Sequence, residues 1–166
     1  MLLDIHPENP QPRLIRQVAD CLLGGGIVIY PTDTIYGLGC DIYHPDAIER
    51  LCRIKGINPS KAQFSFICRD LKHLSDYAKS IDNSTFRLLR RNLPGPFTFI
   101  LPSSKMVPKP GEQVEEYTDP EIIHEKFGHL VDIVISGGIG GSVPSTIVDC
   151  TGHEPHILRQ GLRTLE

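Results

Sequence analysis

Hydrophobic residues along the chain follow two patterns, one with a helical period and one in short unbroken runs. Apolar residues within the segment 14–22 recur at the spacing of one helix face, and three glycines at residues 24–26 follow them. The next run, Ile-Val-Ile-Tyr at residues 27–30, is typical of a strand buried on both faces. The first part of the chain therefore predicts a helix, a glycine turn and a buried strand.

The same two patterns alternate through the rest of the chain. Helical signals occur at residues 45–52, 70–78, 82–93 and 119–127. Strand-like apolar runs occur at residues 64–68, 97–101, 131–135 and 146–150. Residues 102–118 show no hydrophobic periodicity, which predicts a loop. Because helices alternate with strands and no repeat is present, we expect one α/β domain over residues 1–166 with a mixed, twisted sheet.

The segment 82–93 predicts a helix with one apolar and one basic face. Asp82 or Asn83 can cap its N-terminus. The expected inner face carries Phe86, Leu89 and Leu93. The opposite face carries Arg87, Arg90 and Arg91.

Charge is the one feature of the composition that changes this picture. A chain of 166 residues with 40% hydrophobic residues and a net charge of −3 is not a disordered, collagen-like or coiled-coil protein. Residues 50–110 nevertheless carry twelve basic and three acidic side chains, whereas residues 1–49 have net −5 and residues 111–166 net −7. Such a basic block either attracts the phosphates of a nucleotide or nucleic acid, or is a solvated surface balanced by the acidic ends.

Membrane and metal partners are not expected. No run reaches the roughly 18 apolar residues of a membrane span, and the first residues do not form a signal peptide, so we expect a cytoplasmic protein. Five cysteines at 21, 40, 52, 68 and 150 lack the spacing of a zinc site and are expected to be reduced core thiols. The seven histidines also lack ligand spacing, so we expect no metal held by protein side chains alone.

Two polar stretches are candidates for ligand binding. Residues 30–39 (YPTDTIYGLG) place hydroxyls at the end of a buried strand, where α/β proteins bind ligands. Alternatively, these hydroxyls form hydrogen bonds only with the backbone of their own turn. Residues 137–146 (GGIGGSVPST) allow an anion to approach the backbone closely, or form a glycine-rich hairpin turn. Lys55 can supply counter-charge to phosphate or complement a helix end. No P-loop and no motif for covalent catalysis is present.

Taken together, these stretches resemble the YrdC/YciO family, whose best-known members are threonylcarbamoyl-adenylate synthases of tRNA modification. The matching segments are residues 24–40, 48–55, 93–101, 144–149 and 157–161. They follow the family order over nearly the whole chain. Residues 64–71 and the helix after them look more like the YciO branch.

The resemblance implies an open α/β fold in which a twisted mixed sheet and flanking helices surround a central basic cavity that binds nucleotide and double-stranded RNA. It also implies a reaction in which L-threonine, bicarbonate and ATP give threonylcarbamoyl-AMP and pyrophosphate, for modification of adenosine 37 of tRNA. An in-line attack on a phosphate depends on positioning and charge neutralisation more than on a nucleophilic side chain. Two alternatives stay open. One is a non-catalytic RNA-binding or ribosome-associated module, and the other is a nucleotide hydrolase.

The resemblance also implies roles for individual residues. Threonine, phosphate and nucleotide would contact Thr32, Thr34, Tyr36, Lys55, Ser145 and Arg159. In the alternative of a non-catalytic RNA-binding module, which does not come from the resemblance, RNA would contact Lys79, Arg87, Arg90 and Arg91 on one face. Mg²⁺ would accompany ATP and be held by its phosphates more than by protein.

The chain departs from the family pattern at two places. Ile57 stands where the synthases have the arginine of a Lys-x-Arg-Pro motif, and an aliphatic side chain cannot replace a guanidinium at a phosphate. About 40 residues of the family pattern have no counterpart near residues 109–111, including a central strand whose loss would expose the backbone groups of its neighbours. We therefore expect a missing segment at this position.

Overall fold

The computed structural model describes residues 1–104 and 118–166, which form seven strands and five α-helices. The strands are β1 (Leu2–Asp4), β2 (Val28–Tyr30), β3 (Gly37–Gly39), β4 (Phe97–Ile100), β5 (Ile133–Ser136), β6 (Thr146–Asp149) and β7 (His156–Arg159). The helices are α1 (Pro12–Leu23), α2 (Pro45–Ile54), α3 (Leu71–Leu74), α4 (Asn83–Asn92) and α5 (Pro120–Phe127). Three helices begin with proline, whose fixed φ and missing N–H suit the first turn.

The strands lie in two sheets that belong to two compact units. The first unit comprises Met1–Ala62 and Gly111–Ser142, and the second comprises Gln63–Pro110 and Val143–Glu166. Both sheets combine parallel and antiparallel pairs, so the mixed α/β class predicted from the sequence is confirmed. The expected central basic cavity stays a prediction.

The first unit is organised around a four-stranded sheet in the order β1-β5-β2-β3. The central strands β5 and β2 are parallel and largely buried, as their unbroken apolar runs predict. The apolar face of α1 packs on one cluster of this sheet. That cluster consists of Leu3, Ile5, Val28, Ile133 and Ile135. The helical period at 14–22 therefore identified the core-facing side of α1.

The second unit has a three-stranded sheet in the order β4-β6-β7, with β4 parallel and β7 antiparallel to β6. Leu89 of α4 and Val148 of β6 are fully buried. The inner face of α4 is more polar than predicted, because Thr85 and Asn92 share it with Leu89. Phe86, which the pattern placed inward, is 41% exposed.

One predicted strand is wrong. Residues 64–68 form no strand, and no neighbouring strand pairs with them within the described part of the chain. The ring of Phe66 stacks on Tyr77 at a centroid distance of 5.9 Å, while Ile67 is 76% exposed. An apolar run becomes a strand only where a partner satisfies its backbone groups, and this run has aromatic contact instead.

Three short strands were not predicted. These are β1, β3 and β7, each of three or four residues. β3 has the sequence Gly-Leu-Gly, which carries little strand propensity. Its glycines are required because Tyr30 of the paired strand covers them, and a Cβ at Gly37 would lie 2.9 Å from the Tyr30 ring.

Two expectations concern residues that the structure does not describe. The expected missing segment near residues 109–111 and most of the predicted loop 102–118 lie outside the described residues. The assignment of residues 1–166 to one domain stays a prediction. Within residues 1–104 and 118–166, no helix is long and apolar enough to cross a bilayer.

The N-cap of α4 makes a testable contribution to acid stability. The Asp82 carboxylate accepts hydrogen bonds from the Ser84 hydroxyl (2.5 Å) and the Thr85 amide (2.8 Å), and these bonds hold the pKa of Asp82 below its ordinary value. The pKa of Asp82 is lower in the folded protein than in the unfolded protein. The stabilisation is therefore complete at a pH above the pKa of the unfolded state, and it is lost as the pH falls through the pKa of the folded state. We expect Asp82→Asn, which keeps a capping oxygen, to weaken the acid dependence of the melting temperature. An unchanged acid dependence would contradict this role.

Candidate functional site

The turn after β2, residues 32–36, is closed by its own hydroxyls, and we call it the threonine turn. Thr32 Oγ1 donates to the Ile35 carbonyl (2.6 Å) and accepts from the Thr34 amide (3.1 Å). The hydroxyls of Thr32 and Thr34 lie 3.1 Å apart. Thr34 is buried and Thr32 is exposed. The structure thus brings these two residues together, and Thr32 is the one that presents its side chain to solvent.

Tyr36 ties the threonine turn to residues 137–141, which we call the glycine loop. Its hydroxyl donates to the Gly138 carbonyl (2.7 Å) and accepts from the Gly137 amide (3.2 Å). A Cβ at Gly140 would lie 2.8 Å from the Tyr36 ring, and one at Gly141 would lie 2.3 Å from the Thr34 carbonyl. Burial raises the pKa of the Tyr36 hydroxyl, which therefore keeps the proton it donates. Both polar stretches of the sequence meet here, at the carboxyl ends of β2 and β5.

Lys55 follows the last residue of α2 in the first unit. Burial of the half-buried side chain lowers the pKa of its ammonium group. Gly56, with φ +65°, follows it in the left-handed conformation that commonly ends a helix. A neighbouring anion would favour the charged form of Lys55.

Ser145 and Arg159 lie together in the second unit. Arg159 donates from Nε (3.2 Å) and Nη2 (3.0 Å) to the Ser145 carbonyl, across the pairing of β6 with β7. The Ser145 hydroxyl lies 2.8 Å from the Thr98 hydroxyl on β4. Sequence reasoning missed Thr98, although a single polar residue within the run Phe-Thr-Phe-Ile is a signal that such a strand carries a hydrogen-bonding group. We call Thr98, Ser145 and Arg159 the hydroxyl–arginine cluster.

The basic residues predicted to contact RNA lie at several places on the second unit. Arg87 and Arg91 line a cleft of about 270 Å³ together with Ser84 and Leu88. Arg91 also lines a smaller cleft with Arg163, a residue that the sequence patterns did not single out. Lys79 and Arg90 are exposed but line neither of these clefts. Two of the four predicted residues therefore share a concave surface.

Metal and thiol chemistry receive no support from the described residues. Within residues 1–104 and 118–166, no group of three His, Cys, Asp or Glu side chains is arranged to hold a metal ion. All five cysteines are free thiols, and burial raises the pKa of each one. A thiol with a raised pKa is a poor nucleophile at neutral pH.

Comparison with known proteins shows that the chain as a whole is similar to one family. The profile of the Sua5/YciO/YrdC family, described as "Telomere recombination", matches residues 20–114 and 109–161. YciO of Escherichia coli K12 is 36% identical over 196 aligned positions, which cover 95% of this chain and 94% of the relative. The E. coli YciO crystal structure superposes with a TM-score of 0.87, covering 100% of this chain and 98% of that one. These similarities confirm the predicted resemblance and its YciO branch.

Proteins with named activities are more distant. The threonylcarbamoyl-AMP synthase of Halorhodospira halophila is 29% identical over 149 residues, covering 90% of this chain and 75% of the synthase. The structure of P. abyssi Sua5 complexed with L-threonine has a TM-score of 0.84 at 25% identity. The superposition covers 97% of this chain but only 57% of Sua5, so this chain spans little more than half the length of that protein.

Proposed function

The chain belongs to the Sua5/YciO/YrdC family, and from this premise we propose that it binds ATP together with L-threonine, as the threonylcarbamoyl-AMP synthases in that family do. The observation that carries the proposal is the hydroxyl–arginine cluster of the second unit. Its cellular setting would be the cytoplasm, where ATP, bicarbonate and tRNA are present.

The chemistry of the hydroxyl–arginine cluster suits a nucleotide phosphate. A guanidinium has five N–H donors, so the two that Arg159 directs at the Ser145 carbonyl leave three for a ligand. Fixing the guanidinium on the backbone orients those three donors before the ligand arrives, which reduces the entropy lost on binding. The hydroxyls of Thr98 and Ser145 add a further donor beside it.

The first unit, considered by itself, contains the residues that the resemblance to the synthases assigns to L-threonine and phosphate. Thr32 is exposed, although its hydroxyl donates to the Ile35 carbonyl, while Thr34 and Tyr36 hold the shape of the threonine turn and the glycine loop. Lys55 would neutralise phosphate charge, and binding of the anion would raise its lowered pKa. Mg²⁺ would enter with ATP on the phosphate oxygens.

In the reaction that we propose, the amino nitrogen of L-threonine first bonds to the carbon of bicarbonate, a C–O bond of bicarbonate breaks, and water leaves to give a carbamate. Its carboxylate oxygen attacks the α-phosphorus of ATP, the bond to the bridging oxygen breaks, and pyrophosphate leaves with the electron pair. Arg159 would offset the charge that develops on the phosphate oxygens. Ile57 supplies no such charge, so we expect this chain to bind ATP more weakly than a variant that has arginine there.

Calorimetric titration tests the proposal. We expect ATP with Mg²⁺ to bind, L-threonine to strengthen that binding, and Ile57→Arg to increase the ATP affinity by about tenfold, the value of one charge-assisted hydrogen bond. Arg159→Lys and Thr98→Val should each weaken ATP binding. Arg69→Lys is the matched control, because the Arg69 side chain is 83% exposed in the same unit. Pyrophosphate release that requires both threonine and bicarbonate would extend the result from binding to synthesis.

Absence of ATP binding heat, with or without L-threonine, would reject the proposal. Binding of ATP with release of inorganic phosphate in the absence of threonine would instead support a nucleotide hydrolase.

A second function, RNA binding without catalysis, is favoured by one specific observation. Arg87 and Arg91 line one cleft, and Arg91 and Arg163 line the next, so three cations follow one another along the surface of the second unit. We expect that Arg91→Gln reduces the slope of log affinity against log salt for a double-stranded RNA by about one, as for a lost phosphate contact. Arg69→Gln should leave the slope unchanged. Equal slopes for all three proteins would reject this function.

A further inference from the structure

The three-stranded sheet of the second unit has one buried face and one face that is more open. Thr146 and Val148 of β6 are fully buried on the first face. Ile147 and Asp149, which alternate with them along the strand, are half-buried on the second face. Residues that pair across neighbouring strands share a face, so the register divides the open face into two rows. The arginine row is Thr98, Ile147 and Arg159, and the aspartate row is Ile100, Asp149 and His156.

The arginine row contains part of the hydroxyl–arginine cluster, where we have proposed that ATP binds. Thr98 and Arg159 stand on either side of Ile147 in this row. On β4 and β6 the aspartate row lies two residues further along the strands, which is a distance of about 7 Å. A phosphate held by Arg159 would therefore leave the rest of the nucleotide within reach of the aspartate row.

Asp149 has one carboxylate oxygen available for a ligand. Its Oδ1 accepts hydrogen bonds from the Thr151 amide (2.8 Å) and the Thr151 hydroxyl (2.7 Å), whereas its Oδ2 accepts none within residues 1–104 and 118–166. The bonds from Thr151, and to a smaller extent the charge of His156, hold the pKa of the Asp149 carboxyl below its ordinary value. The carboxylate is therefore ionised at neutral pH and can only accept hydrogen bonds.

Charge and length together decide which part of ATP faces Asp149. An ionised carboxylate repels phosphate, so the triphosphate should lie over the arginine row and the uncharged part of the nucleotide over the aspartate row. Five single bonds of about 1.5 Å separate the α-phosphorus from the ribose 3′ oxygen, and in an extended arrangement they span about 6 Å. This length fits the spacing of about 7 Å between the rows. Ribose hydroxyls are hydrogen-bond donors, and dinucleotide-binding folds also hold them with a carboxylate.

We propose that Asp149 binds a ribose hydroxyl of ATP and makes the site select nucleotides with an intact ribose. The proposal rests on the binding of ATP at the hydroxyl–arginine cluster. Oδ2 accepts the hydrogen bond from the 2′ or the 3′ hydroxyl, while Oδ1 stays on Thr151 and fixes the carboxylate before the nucleotide arrives. An analogue without that hydroxyl leaves the carboxylate unpaired in the complex, which is the basis of the selection.

Calorimetric titration with ATP and with 2′,3′-dideoxy-ATP, each with Mg²⁺, tests the selection. We expect the dideoxy analogue to bind about tenfold more weakly, the value of one hydrogen bond to a charged group. Both nucleotides carry the same triphosphate, so the ratio of their affinities does not depend on how strongly the phosphates are held. The two monodeoxy analogues then identify which hydroxyl is bound.

Substitutions in the hairpin of β6 and β7 assign the selection to Asp149. Asp149→Ala should bring the two affinities to within about twofold of each other, since the acceptor is gone. Thr151→Val is the matched control, because it removes the hydroxyl that bonds Oδ1 and leaves Oδ2 in place. Glu154→Gln removes a charge from the turn of the same hairpin. Both controls should keep the tenfold ratio of the parent protein.

A second substitution keeps the test decisive if Asp149→Ala does not fold. Asp149→Asn retains an oxygen for the two bonds from Thr151. It replaces the charged acceptor by a neutral amide, so the ratio of affinities should fall by about threefold. An unchanged ratio in Asp149→Asn would overturn the proposal.

Failure of this proposal can be distinguished from failure of ATP binding. If ATP binds and the parent protein has equal affinity for ATP and the dideoxy analogue, the ribose contact is wrong while ATP binding stands. A ratio that survives Asp149→Ala would mean that another residue recognises the sugar, which also overturns the proposal. If the parent protein gives no heat with ATP, both proposals are rejected together.

Discussion

Gly161→Ala is expected to lower the free energy of unfolding by about 3 kcal/mol, a value typical of overpacking against rigid atoms. A Cβ at residue 161 would lie 2.2 Å from the Pro144 carbonyl oxygen and 2.4 Å from the Ser145 carbonyl carbon. These are backbone atoms at the start of β6, so the strain cannot be relieved by rotating a side chain. The displaced backbone would include the carbonyl that Arg159 binds, and ATP affinity should fall together with stability.

Gly152→Ala is the matched control for this prediction. A Cβ at residue 152 would lie 3.8 Å from the Glu154 carbonyl oxygen, which is an ordinary van der Waals contact. We expect a change within about 0.5 kcal/mol, as for other surface substitutions. Denaturant unfolding of both variants measures the difference. Equal stability of the two variants would show that the chain around Gly161 adapts and that the close approach has no energetic consequence.

Asp132→Ala is expected to cost about 2 to 3 kcal/mol, largely because a buried amide loses its partner. The Asp132 carboxylate accepts from the Ile27 amide (2.8 Å) and from Arg50 Nη1 (2.7 Å). Ile27 is fully buried, and its amide has the Asp132 carboxylate as its acceptor. The ion pair with Arg50 contributes less, since both side chains are more than a third exposed. For a protein of this size we expect the melting temperature to fall by about 6 °C.

Asp132→Asn separates the two contributions. The asparagine oxygen can still accept from the Ile27 amide, whereas the charge opposite Arg50 is lost. We therefore expect Asn to retain more than half of the stability that Ala loses. If Asn and Ala lose the same amount, the ion pair with Arg50 carries the effect and the amide does not.

Much of the fold follows from local sequence. Three local signals each determine structure within a few residues. They are the apolar period of α1, the proline at the start of α1, α2 and α5, and the unbroken apolar runs of β2 and β5. Elements that depend on a distant partner were not predictable in this way. β3 pairs with β2 and places its glycines against the Tyr30 ring, and residues 64–68 have no described strand beside them.

Prediction of the candidate site was limited in the same way, because contacts between residues distant in the sequence could not be predicted. Thr32, Lys55, Ser145 and Arg159 were identified through resemblance to a family, and their ligand contacts remain predictions. The Thr98–Ser145 pair depends on the register of β4 against β6, which no local spacing encodes. The contact of Tyr36 with Gly137 joins residues 101 positions apart, so it too emerges only from the folded chain.

The position of β5 and β6 in the chain has a consequence for biosynthesis. β5 lies between β1 and β2, and β6 lies between β4 and β7, so each sheet has a central strand that comes from the last third of the sequence. During translation, β1 and β4 leave the ribosome before the strands on which they pair, and β2 has only β3 as a partner. Neither sheet can close until nearly the whole polypeptide has emerged. Nascent chains of this protein are therefore expected to need protection from aggregation until synthesis is almost finished.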